Sequence, residues 1–208
     1  MRTIIFGDIH GCYEEWQDLL DKVKPASNDK LVCVGDMIAK GPSSRRVLDM
    51  AMRLGSALRC VQGNHEYALL KHWRAGKLKS LDEHFGEVIR EFGADVDKYL
   101  HFIDSWPLYL ELPECFVVHA GIRPGIPWNQ QAPEDLVTLR TLEPGGEAWY
   151  DAYPGTKLIV HGHWAARGLV VRPNVIGLDS GCVYGRSLSA VVLPERQILS
   201  VSARRAYS

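Results

Sequence analysis

Asp8 and His10 stand one residue apart between two glycines, at the end of an apolar run: Arg2-Thr3-Ile4-Ile5-Phe6-Gly7-Asp8-Ile9-His10-Gly11. A carboxylate and an imidazole so placed can point at one ion while the backbone turns sharply. One such pair reads equally well as a turn. The pattern recurs, however. Leu31-Val32-Cys33-Val34 runs into Gly35-Asp36, and Ala57-Leu58-Arg59-Cys60-Val61 is followed by Gly63-Asn64-His65-Glu66. Cys115-Phe116-Val117-Val118 ends in His119, and Leu158-Ile159-Val160 in His161-Gly162-His163. Asp8, His10, Asp36, Asn64, His119 and His163 thus form a set of nitrogen and oxygen donors without thiolates. Such a set suits first-row divalent ions such as manganese, iron, nickel or zinc. One carboxylate free to bridge is what a two-ion site needs.

Positioning these residues requires short buried strands that end together. The apolar runs read as such strands, and loops at strand carboxyl ends are where open α/β sheets bind ligands. Between the runs, helical spacing covers Tyr13–Val23, with Trp16, Leu19, Leu20 and Val23 on one face. A second helix begins after Ser43, a candidate N-cap, and carries Val47, Leu48, Ala51 and Leu54 up to Gly55. A third runs from about Tyr67 to Arg74. The N-terminal half is therefore expected to be βαβαβ.

Leu81 to Ile103 is amphipathic, with Phe85, Val88, Ile89 and Phe92 on one side, and is expected to form a helical cap or insert at about 78–105. No chemistry is read in it; His72, His84 and His101 are expected at the surface or in packing. From Pro107 on, short strands separated by Gly/Pro turns suggest a mainly antiparallel C-terminal half. Ala203 to Ser208 is expected to fray. The whole reads as one α/β domain over 1–208, a layered β-sandwich flanked by helices.

Of 208 residues, 46% are hydrophobic and 24% charged, which is ordinary for a soluble globular chain. A net charge of −1 argues against an extended nucleic-acid surface. No run approaches a membrane span, and the chain opens directly into a strand without a signal-peptide pattern. The five cysteines contain no Cys-x-x-Cys pair, which suggests free thiols in a reducing compartment, the cytoplasm.

Gly7-Asp8-Ile9-His10-Gly11, Gly35-Asp36 through Gly41, Gly63-Asn64-His65-Glu66, His119-Ala120-Gly121 and Gly162-His163 resemble, in order, the motifs of the calcineurin-like metallophosphoesterases. Within them the chain looks like the branch that holds phosphoprotein phosphatases and symmetrical diadenosine tetraphosphatases (ApaH-like enzymes). The resemblance implies that Asp8 and His10 hold one metal, that Asp36 bridges, and that Asn64, His119 and His163 complete the second. It implies two divalent ions, manganese foremost, with iron, zinc, nickel or cobalt as alternatives. Ala165 stands where wider relatives carry a further histidine ligand, and His161 is taken as a neighbour of the site.

Two cations lower the pKa of a bridging water, so that hydroxide attacks phosphorus in line with the leaving oxygen. Nearby cations neutralise the equatorial oxygens. By resemblance Lys40 and Arg140 are the cations expected to grip phosphate, with Arg123 a further candidate. Asn64 would place the phosphate, and His65 would protonate the leaving group.

Protein phosphatases of this branch carry Asp-Arg where this chain has Ala39-Lys40, and that aspartate orients the catalytic histidine. Its loss matters most for a basic alkoxide and least for a nucleoside diphosphate. Symmetrical dinucleotide tetraphosphatases resemble this chain in having alanine there and a Gly-His-Trp-Ala run, here Gly162-His163-Trp164-Ala165, and that resemblance implies symmetrical hydrolysis of diadenosine tetraphosphate to two ADP. A Ser/Thr protein phosphatase is the alternative, and a non-catalytic phosphate-binding module a remote one. Trp164 or Tyr184 could stack on a base or simply pack.

Overall fold

The computed structural model describes residues 1–78, 81 and 83–208. The first apolar run forms β1 (Thr3–Phe6), buried at every position. It leads into α1 (Tyr13–Val23), β2 (Lys30–Cys33), α2 (Ser44–Leu54), β3 (Leu58–Cys60) and α3 (Asn64–Arg74). Then come α4 (Glu83–Phe92), α5 (Val96–Asp104), β4 (Tyr109–Glu111), β5 (Cys115–Val118) and α6 (Pro133–Thr138). The chain closes with β6 (Leu158–His161), β7 (Val170–Val171), β8 (Val175–Gly177), β9 (Ser187–Leu193) and β10 (Gln197–Ser202).

Two five-stranded sheets result. One has the order β10-β9-β1-β2-β3 and the other β4-β5-β6-β8-β7. Side chains alternate across a strand, so a strand buried on both faces feeds two cores. Ile4 and Phe6 of β1, with Leu31 and Cys33 of β2, pack beneath α1 to α5. Ile5, Val32 and Val34 instead meet Val117, Val160 and Ile176 of the second sheet. Phe116, Val118, Ile159 and Val175 face outward under α6 and Trp149. Each fully buried large apolar side chain contributes about 1.5–3 kcal/mol, and these three cores hold the strand ends in fixed relation.

The β1–β2–β3 pairings are parallel, as the βαβαβ reading requires. The second half departs from expectation. β5, β6 and β8 pair in parallel, and only the edge strands β4 and β7 are antiparallel to their neighbours. β9 and β10 leave that sheet and join the first one beside β1. Both sheets are thus mixed.

Within the expected 78–105 insert, α4 and α5 share the core of α1 to α3 through Phe85, Val88, Phe92, Tyr99, Leu100 and Ile103. Residues 79, 80 and 82 of that segment lie outside the described residues. Ser43 occupies the N-cap position of α2 but makes no side-chain capping bond; Glu91 of α4 accepts the Arg45 N–H at 3.0 Å instead. The five cysteines are all free and buried. Among the described residues no helix is long and apolar enough to cross a membrane.

Candidate metal centre

The six expected ligands lie at the carboxyl ends of β1, β2, β5 and β6 and at the start of α3, and they converge. Holding them there strains the backbone. His10, Asp36, Ala39, Lys40 and His163 adopt φ of 48°, 49°, 71°, 64° and 70°. Left-handed conformations cost non-glycine residues of order 1 kcal/mol or more and concentrate at functional sites. Two glycines are required by contact. A Cβ at Gly63 would overlap Asp36 Oδ1, and one at Gly162 would overlap Asp8 Oδ1.

Asp36 is the centre of the arrangement. Its Oδ2 lies 3.4 Å from His10 Nε2, 3.5 Å from His119 Nε2 and 4.0 Å from His65 Nε2. Its Oδ1 accepts the His65 backbone N–H at 3.1 Å. Asn64 Oδ1 lies 3.1 Å from His119 Nε2 and 2.9 Å from His163 Nδ1. Asp8 accepts the His163 N–H at 3.0 Å. Two donor groups of metal-binding dimensions follow, His10–Asp36–His65 and Asp8–Asp36–His119, with Asp36 common to both.

The remote imidazole nitrogens are tied to carbonyls: His10 Nδ1 to Ile38 at 3.2 Å, His119 Nδ1 to Val34 at 2.9 Å, His163 Nε2 to Thr138 at 3.1 Å. Such bonds fix the ring and the tautomer and leave a bare nitrogen facing inward.

Burial sets the charge states. It pushes the His10 pKa down to about 3 and also lowers His119 and His163, so these rings are neutral donors at pH 7. Burial, then Asp179 and Asp36, push Asp8 well above the carboxylate range. Buried carboxylates that repel each other beside neutral imidazoles are what a divalent cation relieves. The donor groups His10–Asp36–His65 and Asp8–Asp36–His119 have the chemistry that divalent ions take.

A cavity of about 350 Å³ opens over this floor, with Lys40, Arg140, Trp164 and Tyr184 among its walls. The Lys40 ammonium lies 5.5 Å from the Tyr184 ring centroid. Arg140 reaches the His163 carbonyl at 3.4 Å. Arg123 is not brought into this cavity. Asp135 holds its guanidinium at 2.7 and 3.2 Å, in a neighbouring groove that shares Arg140. His161 packs between Trp149 and Tyr150, away from the cluster.

Four residues had no assigned role in the sequence reading. Asp179 and Arg186 line the cavity; burial raises the Asp179 pKa to about 6. The signal for Asp179 was present, since Gly177-Leu178-Asp179 puts one more carboxylate after a strand. Glu66 is fully buried and accepts N–H groups from Asp36, Met37, Ile38 and Gly63. His84, expected at the surface or in packing, sets its ring 5.5 Å from that of His65. His72 and His101 do bond locally, to the carbonyls of Ala68 and Asp97.

The calcineurin-like phosphoesterase family model matches residues 1–191. The symmetrical bis(5'-nucleosyl)-tetraphosphatase of Dechloromonas aromatica (strain RCB) is 30% identical over 268 aligned positions, covering 97% of this chain and 96% of the relative. The protein of the same name from Paraburkholderia phymatum is 32% identical over 92% of this chain and 90% of its own length. A solved structure described as a putative diadenosine tetraphosphatase superposes with a TM-score of 0.85 at 36% identity, covering 97% of this chain and 93% of that one. A protein serine/threonine phosphatase from Saccharomyces cerevisiae shares the fold, with a TM-score of 0.68 at 14% identity over 98% of this chain and 79% of that one. With paired donor groups about one carboxylate at the strand ends and the family model matched across nearly its whole length, the chain belongs to the calcineurin-like phosphoesterases.

Proposed function

We propose that this chain hydrolyses a dinucleoside polyphosphate, diadenosine tetraphosphate, symmetrically to two ADP. The observation that carries the reading is one carboxylate, Asp36, common to two donor groups beneath a cavity walled by Lys40, Arg140 and Arg186. Asp8, His10, Asp36, Asn64, His119 and His163 would hold two divalent ions, manganese first. When bound, such ions supply an activated water at neutral pH and Lewis acidity toward the phosphoryl oxygens.

The protein's own groups do the rest. Lys40 and Arg140 hold the phosphate chain, Lys40 as a point charge and Arg140 through its fork. Asn64 orients the attacked phosphoryl group. His65 carries the proton at Nε2 and delivers it to the leaving oxygen as the P–O bond breaks. Burial pushes the His65 pKa down to about 4, so the free site holds a neutral ring. The negative charge of a bound phosphate raises it again. A diphosphate leaving group needs little protonation, which suits this arrangement better than an alkoxide does. The names of the tetraphosphatase relatives agree with the substrate. The buried, unpaired thiols suit the cytoplasm.

A second reading, phosphopeptide hydrolysis, draws on length. The alignment with the Dechloromonas relative runs over 268 positions against 208 residues here, so dozens of its positions have no counterpart in this chain. The manganese-loaded protein is expected to convert diadenosine tetraphosphate to ADP alone. ATP plus AMP as products, or turnover of phosphopeptide without turnover of the dinucleotide, overturns the first reading. A gain of phosphopeptide activity in Ala39→Asp would favour the second.

A further inference from the structure

His65 presents Nε2 to the Asp36 carboxylate, and its other ring nitrogen turns away from the cluster. That Nδ1 is buried and has no hydrogen-bond partner among the described residues. Buried polar atoms are rarely left so. The ring beside it belongs to His84, the second residue of α4, with centroids 5.5 Å apart and planes at 63°. His84 Nε2 is also buried and also lacks a partner. Two unsatisfied ring nitrogens thus sit in neighbouring rings, and a neutral imidazole carries one donor and one acceptor. The two nitrogens do not bond each other as placed, and one water between them would satisfy both.

We infer that His84 is the positioning residue for His65, holding its Nδ1–H through one bridging water to His84 Nε2 so that His65 Nε2 faces the leaving oxygen. The inference rests on the proposed acid role of His65. Before the step both His65 nitrogens carry hydrogen. The Nε2 proton passes to the leaving oxygen, which takes the electron pair of the breaking P–O bond. The Nδ1–H stays on His65, donated to the water that His84 Nε2 holds, with His84's own proton on Nδ1. His84 neither touches substrate nor changes its proton count. Phe85 and His10 flank the His65 ring at 5.8 and 5.1 Å and restrict its tilt, but neither contact satisfies Nδ1.

The experiment uses the manganese-loaded enzyme and aryl phosphates from 2,4-dinitrophenyl phosphate to phenyl phosphate. His65→Ala is expected to lose activity increasingly as the leaving group becomes more basic, the signature of a missing acid. His84→Phe, which keeps a ring for packing, is expected to follow the same trend more weakly: roughly 10-fold on phenyl phosphate and less than about twofold on the dinitrophenyl ester. His84→Gln, with an amide oxygen near the Nε2 position, restores most of the loss. His84→Phe adds nothing in the His65→Ala background.

A leaving-group trend in His65→Ala that is absent from His84→Phe overturns the inference and leaves the acid reading intact. A flat response in His65→Ala overturns both. A measurement that needs no variant is the two-bond 1H–15N spectrum of zinc-loaded wild type. The neutral His65 ring is expected to carry its proton on Nδ1, and a proton on Nε2 overturns the pairing.

Discussion

Glu66 Oε2 accepts the backbone N–H of Asp36 at 2.9 Å, so the helix that starts with Asn64 and His65 is fastened to the loop bearing the shared carboxylate. The other oxygen takes the N–H groups of Met37 and Ile38 at 2.9 and 3.2 Å. Burial and the Asp36 charge raise the Glu66 pKa to about 7, against the pull of these donors. Glu66→Gln turns one oxygen into an NH₂ that faces N–H groups. Leaving buried donors unpaired costs about 1–3 kcal/mol, and loosened support lowers metal affinity about 10–100-fold. Urea unfolding and manganese titration of the variant check both; an unchanged midpoint with unchanged affinity contradicts the role given to Glu66.

Removing the shared carboxylate should separate metal binding from folding. Asp36, Asp8 and Asp179 repel one another in the metal-free protein. Asp36→Asn relieves that repulsion while an amide oxygen remains to accept the His65 N–H. Against burial, His119, His65 and His10 lower the Asp36 pKa, which offsets that relief, so the metal-free variant is expected to melt close to the wild-type temperature. Wild type should gain thermal stability with excess manganese, because the ion binds the folded state. The variant should gain none and lose turnover by about 10³-fold or more. Calorimetry with and without manganese, beside a turnover assay, checks this.

The site was legible where ligands followed contiguous apolar runs. Asp8, Asp36, His119 and His163 each sit just beyond a strand too buried to alternate, so the change of composition marks the position. His84 left no such mark, since a histidine on an amphipathic helix looks the same whether it meets solvent or another ring. The parallel pairing of β5, β6 and β8 was hidden for a related reason. The connection from β5 to β6 holds only the six-residue α6, not the long crossover helix that signals parallel strands. β9 pairs with β1 across nearly the whole chain, and no local pattern names a partner so far away.

The cavity rim makes its own prediction. Arg186 lines the cavity and donates to the Ala165 carbonyl at 2.9 Å, beside Trp164 and Tyr184. If Arg186 binds the phosphates beyond the attacked one, its loss falls on a phosphate chain and spares a lone phosphoryl group. Arg186→Ala is expected to raise KM for diadenosine tetraphosphate about 10-fold, the worth of a charge-assisted contact. KM for p-nitrophenyl phosphate should stay within about twofold. Steady-state kinetics on both substrates provide the check, and equal effects on the two would remove Arg186 from substrate selection.

Away from the site, Asp29 gives the fold an acid-sensitive tie. Its carboxylate takes both the backbone and side-chain N–H groups of Arg2 and the Ala26 N–H. The Arg2 side chain, above all, holds its pKa well below the ordinary carboxylate value. A group whose folded pKa is depressed stabilises the fold above its unfolded pKa of about 3.9 and loses that contribution as pH falls through the folded value. The partly exposed arginine keeps the effect modest. Asp29→Asn should melt roughly 3 °C lower at pH 7. The difference should shrink as pH falls below 4 and vanish only below the folded pKa. Melting curves across that range give the sign directly.

The C-terminal segment, expected to fray, is instead fastened to α1. Tyr207 Oη donates to Glu15 Oε1 at 2.8 Å, and the Arg204 N–H reaches the same oxygen at 3.0 Å. Ala206 bridges to Tyr184, and the Tyr207 N–H reaches the Val183 carbonyl at 2.8 Å. Glu15 is fully buried, and its second oxygen has no hydrogen-bond partner among the described residues, so the tail supplies donors that water cannot. Burial, then Glu15, push the Tyr207 pKa to about 12, which keeps the phenol a donor throughout the neutral range. Tyr207→Phe keeps the ring and deletes the donor, at an expected cost of about 1–3 kcal/mol. Deleting residues 203–208 should cost more, because it also removes the Arg204 N–H. The two variants, ranked by urea midpoint, test the fastening: a truncated chain as stable as wild type would show that Glu15 finds its partners elsewhere.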